Sequence, residues 1–352
     1  MNLNTLEDNV RSIKNTLLIF LAIVGVLIIK TLAGLLIPLA FALFIGLLLD
    51  PLIQFLSKKG WPYSISITVI TILTLGFLFL IGLIVFDTAG QIVAQKTKLL
   101  GQINEKFQDI LSGLDFIPGI TAFETDGLIE TLNKLISLEF LISTSGIVAG
   151  QLGTFTFNFI LSAIYLVAIL GSIVRYEKYI GYLEGDDVIG KEKLLKSFIE
   201  VKTSIVDYMK VKFLTSLFTG LFFGGISWLF GIDFALFWGF LAFLLNFIPT
   251  VGSIVATIPP TLLGLIQIDS GGTFLFFLLL LIATQFTWGN VIEPLLMGST
   301  VALNTVTVIL GLVVWGYIWG VAGMLLSVPL IVLAREILAQ NPDADVLVKL
   351  MG

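Results

Sequence analysis

The sequence predicts an all-α polytopic membrane protein, and three observations predict it. Of 352 residues, 57% are hydrophobic and 12% charged, with a mean hydropathy of +1.06, as in a multi-span membrane protein rather than a large soluble core. Apolar runs recur at about 20 residues, the length that crosses a bilayer as a helix. Between Lys212 and Arg335 there is no lysine or arginine, and the acids there are Asp233, Asp269 and Glu293. A water-facing domain does not discard its hydrated charge over such a length. The chain has no cysteine and no histidine. That excludes disulfides, zinc sites built on those residues, Ser-His or Cys-His catalysis and thiol redox chemistry. Neither an enzyme nor a cofactor is expected. No basic cluster points to nucleic acid, and no phosphate-binding glycine loop points to an ATP-driven pump.

Residues 1–86 read as three spans. The polar start, Met1 to Thr16, shows no small-residue cleavage site and leads into a retained helix rather than a cleaved signal peptide. The first span runs from about Leu17 to Leu36. The second runs from Ile37 to about Leu56, with Pro38 in its first turn, where proline is tolerated. The third runs from about Ile65 to Phe86, introduced by Trp61, Pro62 and Tyr63. Arg11 and Lys14 precede the first span, and Lys58 and Lys59 follow the second. The positive-inside rule places both regions in the cytoplasm.

Acids outnumber bases over 87–150, and the segment reads as a small amphipathic extracytoplasmic helical module. Leu99, Leu100, Ile103, Phe107, Ile110 and Leu111 share one helical face, and Leu128, Ile129, Leu132, Leu135 and Ile136 another. Phe116 to Gly119 separates them. Residues 151–212 comprise a fourth span, about Phe155 to Val174, and a cytoplasmic amphipathic helix striped by Leu194, Leu195, Phe198, Val201, Ile205 and Tyr208. The mixed charges of 175–212, which include Lys202 and Lys212, read as a solvated face.

A C-terminal transmembrane core follows at 213–340, with a cytoplasmic tail at 341–352. Its fifth span runs from about Phe213 to Phe230; Asp233 then falls near the outer surface, flanked by Trp228 and Trp238. Two apolar stretches here are over-long and interrupted. The first, 234–268, breaks at Asn246-Phe247-Ile248-Pro249-Thr250-Val251-Gly252 and again at Pro259-Pro260. The second, 303–334, breaks at Gly316 to Gly320 and at Gly323. Between them a span from about Phe274 to Thr287 runs into Asn290, Glu293 and Pro294. Each over-long stretch is either one tilted span or a re-entrant hairpin, and without basic residues charge bias does not choose. Breaks at membrane depth persist where the freed backbone faces protein or a wet cavity. A pair of interrupted segments points to a transporter substrate site.

Glu293 is the leading candidate, because an acid in an apolar run costs about 2.5–3.5 kcal/mol by insertion scales. Gln285 and Asn290 precede it by eight and three residues, roughly on one helical face. Asn246, Pro249 and Gly252 form the second candidate, a broken helix offering an amide and free carbonyls. Asp50-Pro51 echoes Glu293-Pro294 and reads as a cytoplasmic-edge turn with a solvated acid. The pairs Gly220 and Gly224, and Gly316 and Gly320, read as close helix approaches.

These motifs resemble the autoinducer-2 exporter (AI-2E) family. The resemblance rests on Leu245 to Ile254 followed by Ile258-Pro259-Pro260, and on Gly289 to Pro294 followed by Gly323 to Leu330. It extends to Ile37-Pro38, Leu49-Asp50-Pro51-Leu52 and Lys58 to Pro62. It implies a multi-pass bacterial inner-membrane transporter of about eight spans, with both termini cytoplasmic. A homo-oligomer, a pentamer in particular, and an elevator-like motion are further implications. Family members are described variously as exporters of the signal autoinducer-2 and as sodium or lithium/proton antiporters. The family motif falls on Asn246, Pro249, Gly252, Asn290, Glu293 and Pro294 of this chain. The expected partners are the bilayer and a small polar molecule or ion, taken by these residues together with Gln285. Export of a small polar molecule is set against cation/proton exchange at Glu293 and against a passive channel or scaffold.

Overall fold

The computed structural model describes residues 3–95, 98, 101–102, 105–106, 160–172, 188–297, 303–340 and 345–352. The two amphipathic faces expected within 87–150 and the break at Phe116 to Gly119 lie outside the described residues. Helix α1 spans Leu3–Thr31, α2 Ala33–Lys58 and α3 Tyr63–Ala94. Helix α4 spans Ile160–Ser172. Next come α5 over Val188–Leu229, α6 over Ala235–Leu245, α7 over Val251–Gln267 and α8 over Gly271–Gln285. A π-helical segment, Phe286–Ile292, runs into α9 at Glu293–Met297; α10 spans Thr305–Ala339 and α11 Asp345–Met351. Among the described residues there is helix and no strand.

Three boundaries differ from expectation. Helix α2 begins at Ala33, so Pro38 lies inside it rather than in its first turn. Leu32 hardly interrupts the backbone bonding: its N–H donates to the Ile28 carbonyl at 2.9 Å, and its own carbonyl accepts from Leu36 at 3.0 Å. Helix α3 continues past Phe86 to Ala94. The amphipathic helix and the fifth span are one helix of 42 residues, α5.

Two units make up the chain. The first comprises Met1–Tyr63, Asn158–Met209 and Ser299–Gly352; the second comprises Ser64–Phe157 and Lys210–Gly298. In the first, α2 packs with α10 and α1 touches both. A side chain at Gly46 of α2 would press on Ile169, Leu166 and Leu170 of α4. In the second unit, Phe223 and Ile226 of α5, Trp238 and Ala242 of α6, Ala256 and Leu263 of α7, and Phe277 and Leu281 of α8 share one buried cluster. Gly220 and Gly224 lie against Gly239, so α5 and α6 approach backbone to backbone, the contact that small residues permit.

Both over-long stretches are helical hairpins. In the second unit, α6 has 11 residues and α7 has 17, each short of the roughly 20 that span a bilayer. Their far ends are clasped. The Asp233 N–H donates to Gln267 Oε1 at 2.9 Å, and Gln267 Nε2 donates to Asp233 Oδ2 at 2.7 Å. Trp238, expected at the surface beside Asp233, is buried and donates to the Asp233 carbonyl at 2.8 Å. Trp228 is exposed. Pro259 and Pro260 do not break this hairpin; both sit inside α7.

Helix α10 turns back at Gly320, whose φ is 62° and ψ −142°. In a straight helix, residues 311 and 331 would stand about 30 Å apart at 1.5 Å per residue. Here a methyl group on Gly311 would overlap the Ile331 side chain, and one on Gly316 would meet Met324. Five helical segments among the described residues are long and apolar enough to cross a membrane. Thr305–Ala339 is one of them by length, but its fold-back makes it two shorter legs.

Candidate functional site

The site is built on one turn of α5. Polar residues recur along that helix at Tyr208, Lys212, Thr215 and Thr219, a helical spacing that gathers them on one face. All four are buried, as is Ser216 beside them. Lys212 Nζ donates to both oxygens of Glu293, at 2.7 and 2.8 Å. The lysine side chain is 4% exposed and the glutamate 16%. Thr215 Oγ1 stands 3.5 Å from the second carboxylate oxygen.

The tip of the α6–α7 hairpin meets the same turn. Asn246, the residue that ends α6, is buried, and its Nδ2 donates to Ser216 Oγ at 3.0 Å. Asn246 and Glu293, 47 positions apart in the sequence, are therefore both tied to Lys212–Ser216. Pro249 and Gly252 shape the tip. The Val251 N–H donates to the Pro249 carbonyl at 2.6 Å, and Thr250 adopts a left-handed φ of 60°. A methyl group on Gly252 would overlap the Leu245 carbonyl.

Glu293 is positioned by the π segment. Pro294 has no N–H to give, and the N–H of Glu293 reaches the Trp288 carbonyl five residues back. Trp288 stacks on Phe218 of α5, with centroids 4.7 Å apart and planes 6° from parallel, so the segment is held along α5. The wider π turn also splits the face expected to carry Gln285, Asn290 and Glu293 together. Gln285 is buried, Asn290 exposed and Glu293 intermediate, because the register advances differently from that of an α-helix. Pro294 is exposed. Gln285 keeps both carboxamide atoms buried without a hydrogen-bond partner among the described residues.

Two expectations are corrected here. Glu293 is not a lone carboxylate but half of an ion pair. Lys212 is not on a solvated face, because α5 carries it into the interior of the second unit. The sequence held a signal for it: a lysine in register with Thr215 and Thr219 at the head of an apolar span. Among the described residues no cluster of three or more acids could hold a metal ion.

A broken hairpin whose tip meets α5 next to a carboxylate–ammonium pair, within a set of apolar helices, is the kind of arrangement that transporters build their sites from. Residues 17–342 match the family described as AI-2E family transporter, and the chain belongs to that family. It is 28% identical, over 98% of both chains, to a Haemophilus influenzae protein with a provisional name as a transport protein. It is 26% identical to the AI-2 transport protein TqsA of Escherichia coli strain K12, over 92% of this chain and 91% of the other. A Bacillus subtilis protein, YrrI, also provisionally named for transport, is 28% identical over 86% of this chain and 84% of its own.

Proposed function

We propose that this chain is a secondary transporter of the bacterial inner membrane that exports a small polar molecule by alternating access. The single observation that carries the reading is the convergence of Asn246 and Glu293 on the Lys212–Ser216 turn of α5. A helix broken at depth offers amide and carbonyl groups to a solute. The ion pair beside it supplies charge that need not be left bare while the site is empty. When the hairpin tip shifts, Ser216, Asn246 and the carboxylate become hydrogen-bonding partners for a hydroxylated solute. An autoinducer-2-like signal is the favoured cargo, on the name of the Escherichia coli relative. An elevator-type displacement within a homo-oligomer, a pentamer in particular, and cytoplasmic termini complete the proposal.

Export from loaded proteoliposomes tests it. Asn246→Ala and Glu293→Gln should each lower saturable export by about 10- to 100-fold, the span of a typical coupling between linked sites. Unchanged export in both variants would overturn the reading, and export that never saturates with solute would identify a channel.

A sodium or lithium/proton antiporter is the second reading, and one observation favours it. Both oxygens of Glu293 converge on one ammonium, a geometry that equally suits a monovalent cation once Lys212 moves aside. Under that reading, Glu293→Gln abolishes pH-linked sodium flux and leaves no solute export to lose.

A further inference from the structure

Asp50 stands in the chain much as Glu293 does, an acid followed at once by a proline within helical structure. The structure adds that each acid meets a lysine of α5. Lys202 Nζ lies 2.6 Å from Asp50 Oδ2, and Gln54 Nε2 donates to the same oxygen at 2.9 Å. The Asp50 side chain is 5% exposed and that of Lys202 15%, so the solvated turn expected from the sequence is replaced by a buried pair. Pro51 has no N–H for the Leu47 carbonyl one turn back, which loosens the backbone around the acid. Among the described residues, the charged and titratable groups facing Asp50 are Lys202 of α5 and Tyr63 at the head of α3, which feels the carboxylate charge.

Stability alone does not account for this pair. Replacing a buried ion pair by apolar residues of similar volume is often neutral or stabilising, and α2 is apolar from Ala33 up to the acid. What a carboxylate–lysine pair provides is exchange. With the ammonium in place the pair is neutral as a whole; with the ammonium withdrawn, neutrality at the same place requires another cation. The partial exposure of Lys202 gives it a way out.

We propose that Asp50 and Lys202 form a second ion-exchange site, in which Asp50 takes up one proton from water when Lys202 withdraws and releases it when Lys202 returns. The balance is simple: carboxylate plus proton gives the neutral acid on withdrawal, and the proton leaves to water as the ammonium–carboxylate pair re-forms. The proposal rests on the transport reading above, and it couples that transport to protons at a place separate from Glu293.

The test uses the full chain in proteoliposomes with an entrapped pH dye, and thermal unfolding alongside. Lys202→Arg keeps a permanent cation and can hold the carboxylate with a stronger, two-pronged bond. It should leave the melting temperature at or above that of the parent while slowing proton flux about tenfold, the scale of a coupling free energy between linked sites. The charge-balanced Asp50→Asn/Lys202→Gln variant should lose proton flux to a similar degree, and Asp50→Glu should keep it. Proton flux at parental rate in Lys202→Arg would mean that the pair is only a staple, and the proposal falls. So it does if the parent moves no protons, or if flux is carried by sodium with the dye silent. Glu293→Gln in the same vesicles separates the two ideas. If it stops solute export while Lys202→Arg leaves every flux untouched, the transport reading stands and the second site does not.

Discussion

The two hairpins reach the same shape by different means. The α6–α7 hairpin spends five residues, 246–250, on its turn, and the glycine it needs is needed for room: a methyl group on Gly252 would overlap the Leu245 carbonyl. The α10 hairpin turns at Gly320, where a side chain would meet nothing within 4 Å but the backbone conformation excludes one. The first turn is crowded and polar, with Asn246 bonded to Ser216. The second is aromatic and is open only at Gly320 itself; three residues on, a methyl group on Gly323 would overlap the Trp315 carbonyl. Trp315 and Trp319 lie 5.0 Å apart, Trp319 Nε1 donates to the Ile29 carbonyl at 3.1 Å, and Lys30 sits 3.9 Å over the Tyr317 ring. The first turn presents an amide to Ser216 of α5, and the second sets an indole N–H on a carbonyl of α1.

Three substitutions sharpen the contrast, from the largest effect to the smallest. Gly252→Ala forces a methyl group onto a backbone oxygen, so the tip must open. We expect a loss above about 3 kcal/mol, the range of severe overpacking, read as a large drop in melting temperature together with lost export. Gly320→Ala meets only backbone strain, about 1–3 kcal/mol, and should lower stability while sparing export in whatever folds. Tyr317→Leu removes an exposed cation–π contact worth about 0.5–1 kcal/mol, a shift near the limit of a melting experiment. If Gly320→Ala proved harsher than Gly252→Ala, crowding would not be what defines the first tip.

Much of this is legible in the sequence. Asn246, Pro249 and Gly252 interrupt an apolar run, and the chain does turn there. The glycines at 316 and 320 mark the second fold-back. That both stretches are hairpins was not legible, because orientation is normally read from lysine and arginine and this region has none. Pro259-Pro260 misled for a different reason. A proline removes one donor, yet neighbouring helices can hold the helix together, and Pro260 is among the most fully buried side chains. The sequence alone puts Lys212 in water because it stands among charges, and Asp50 because it ends an apolar run ahead of Lys58 and Lys59. Burial depends on which helix lies opposite, and Glu293 and Lys202 are 81 and 152 positions away from them respectively. Sequence distance of that order hides a partner whose residue type is obvious once the fold is seen.

Trp288 carries one more consequence. Its indole lies flat on Phe218 and within 5.9 Å of Phe222, five positions before the acid that Lys212 holds. The molecule thus has an optical gauge built in beside its ion pair. A variant keeping Trp288 as its only fluorophore of that kind would show, as a change in emission, each moment when the ring slides off its neighbour, with no dye attached and no label to disturb the bilayer.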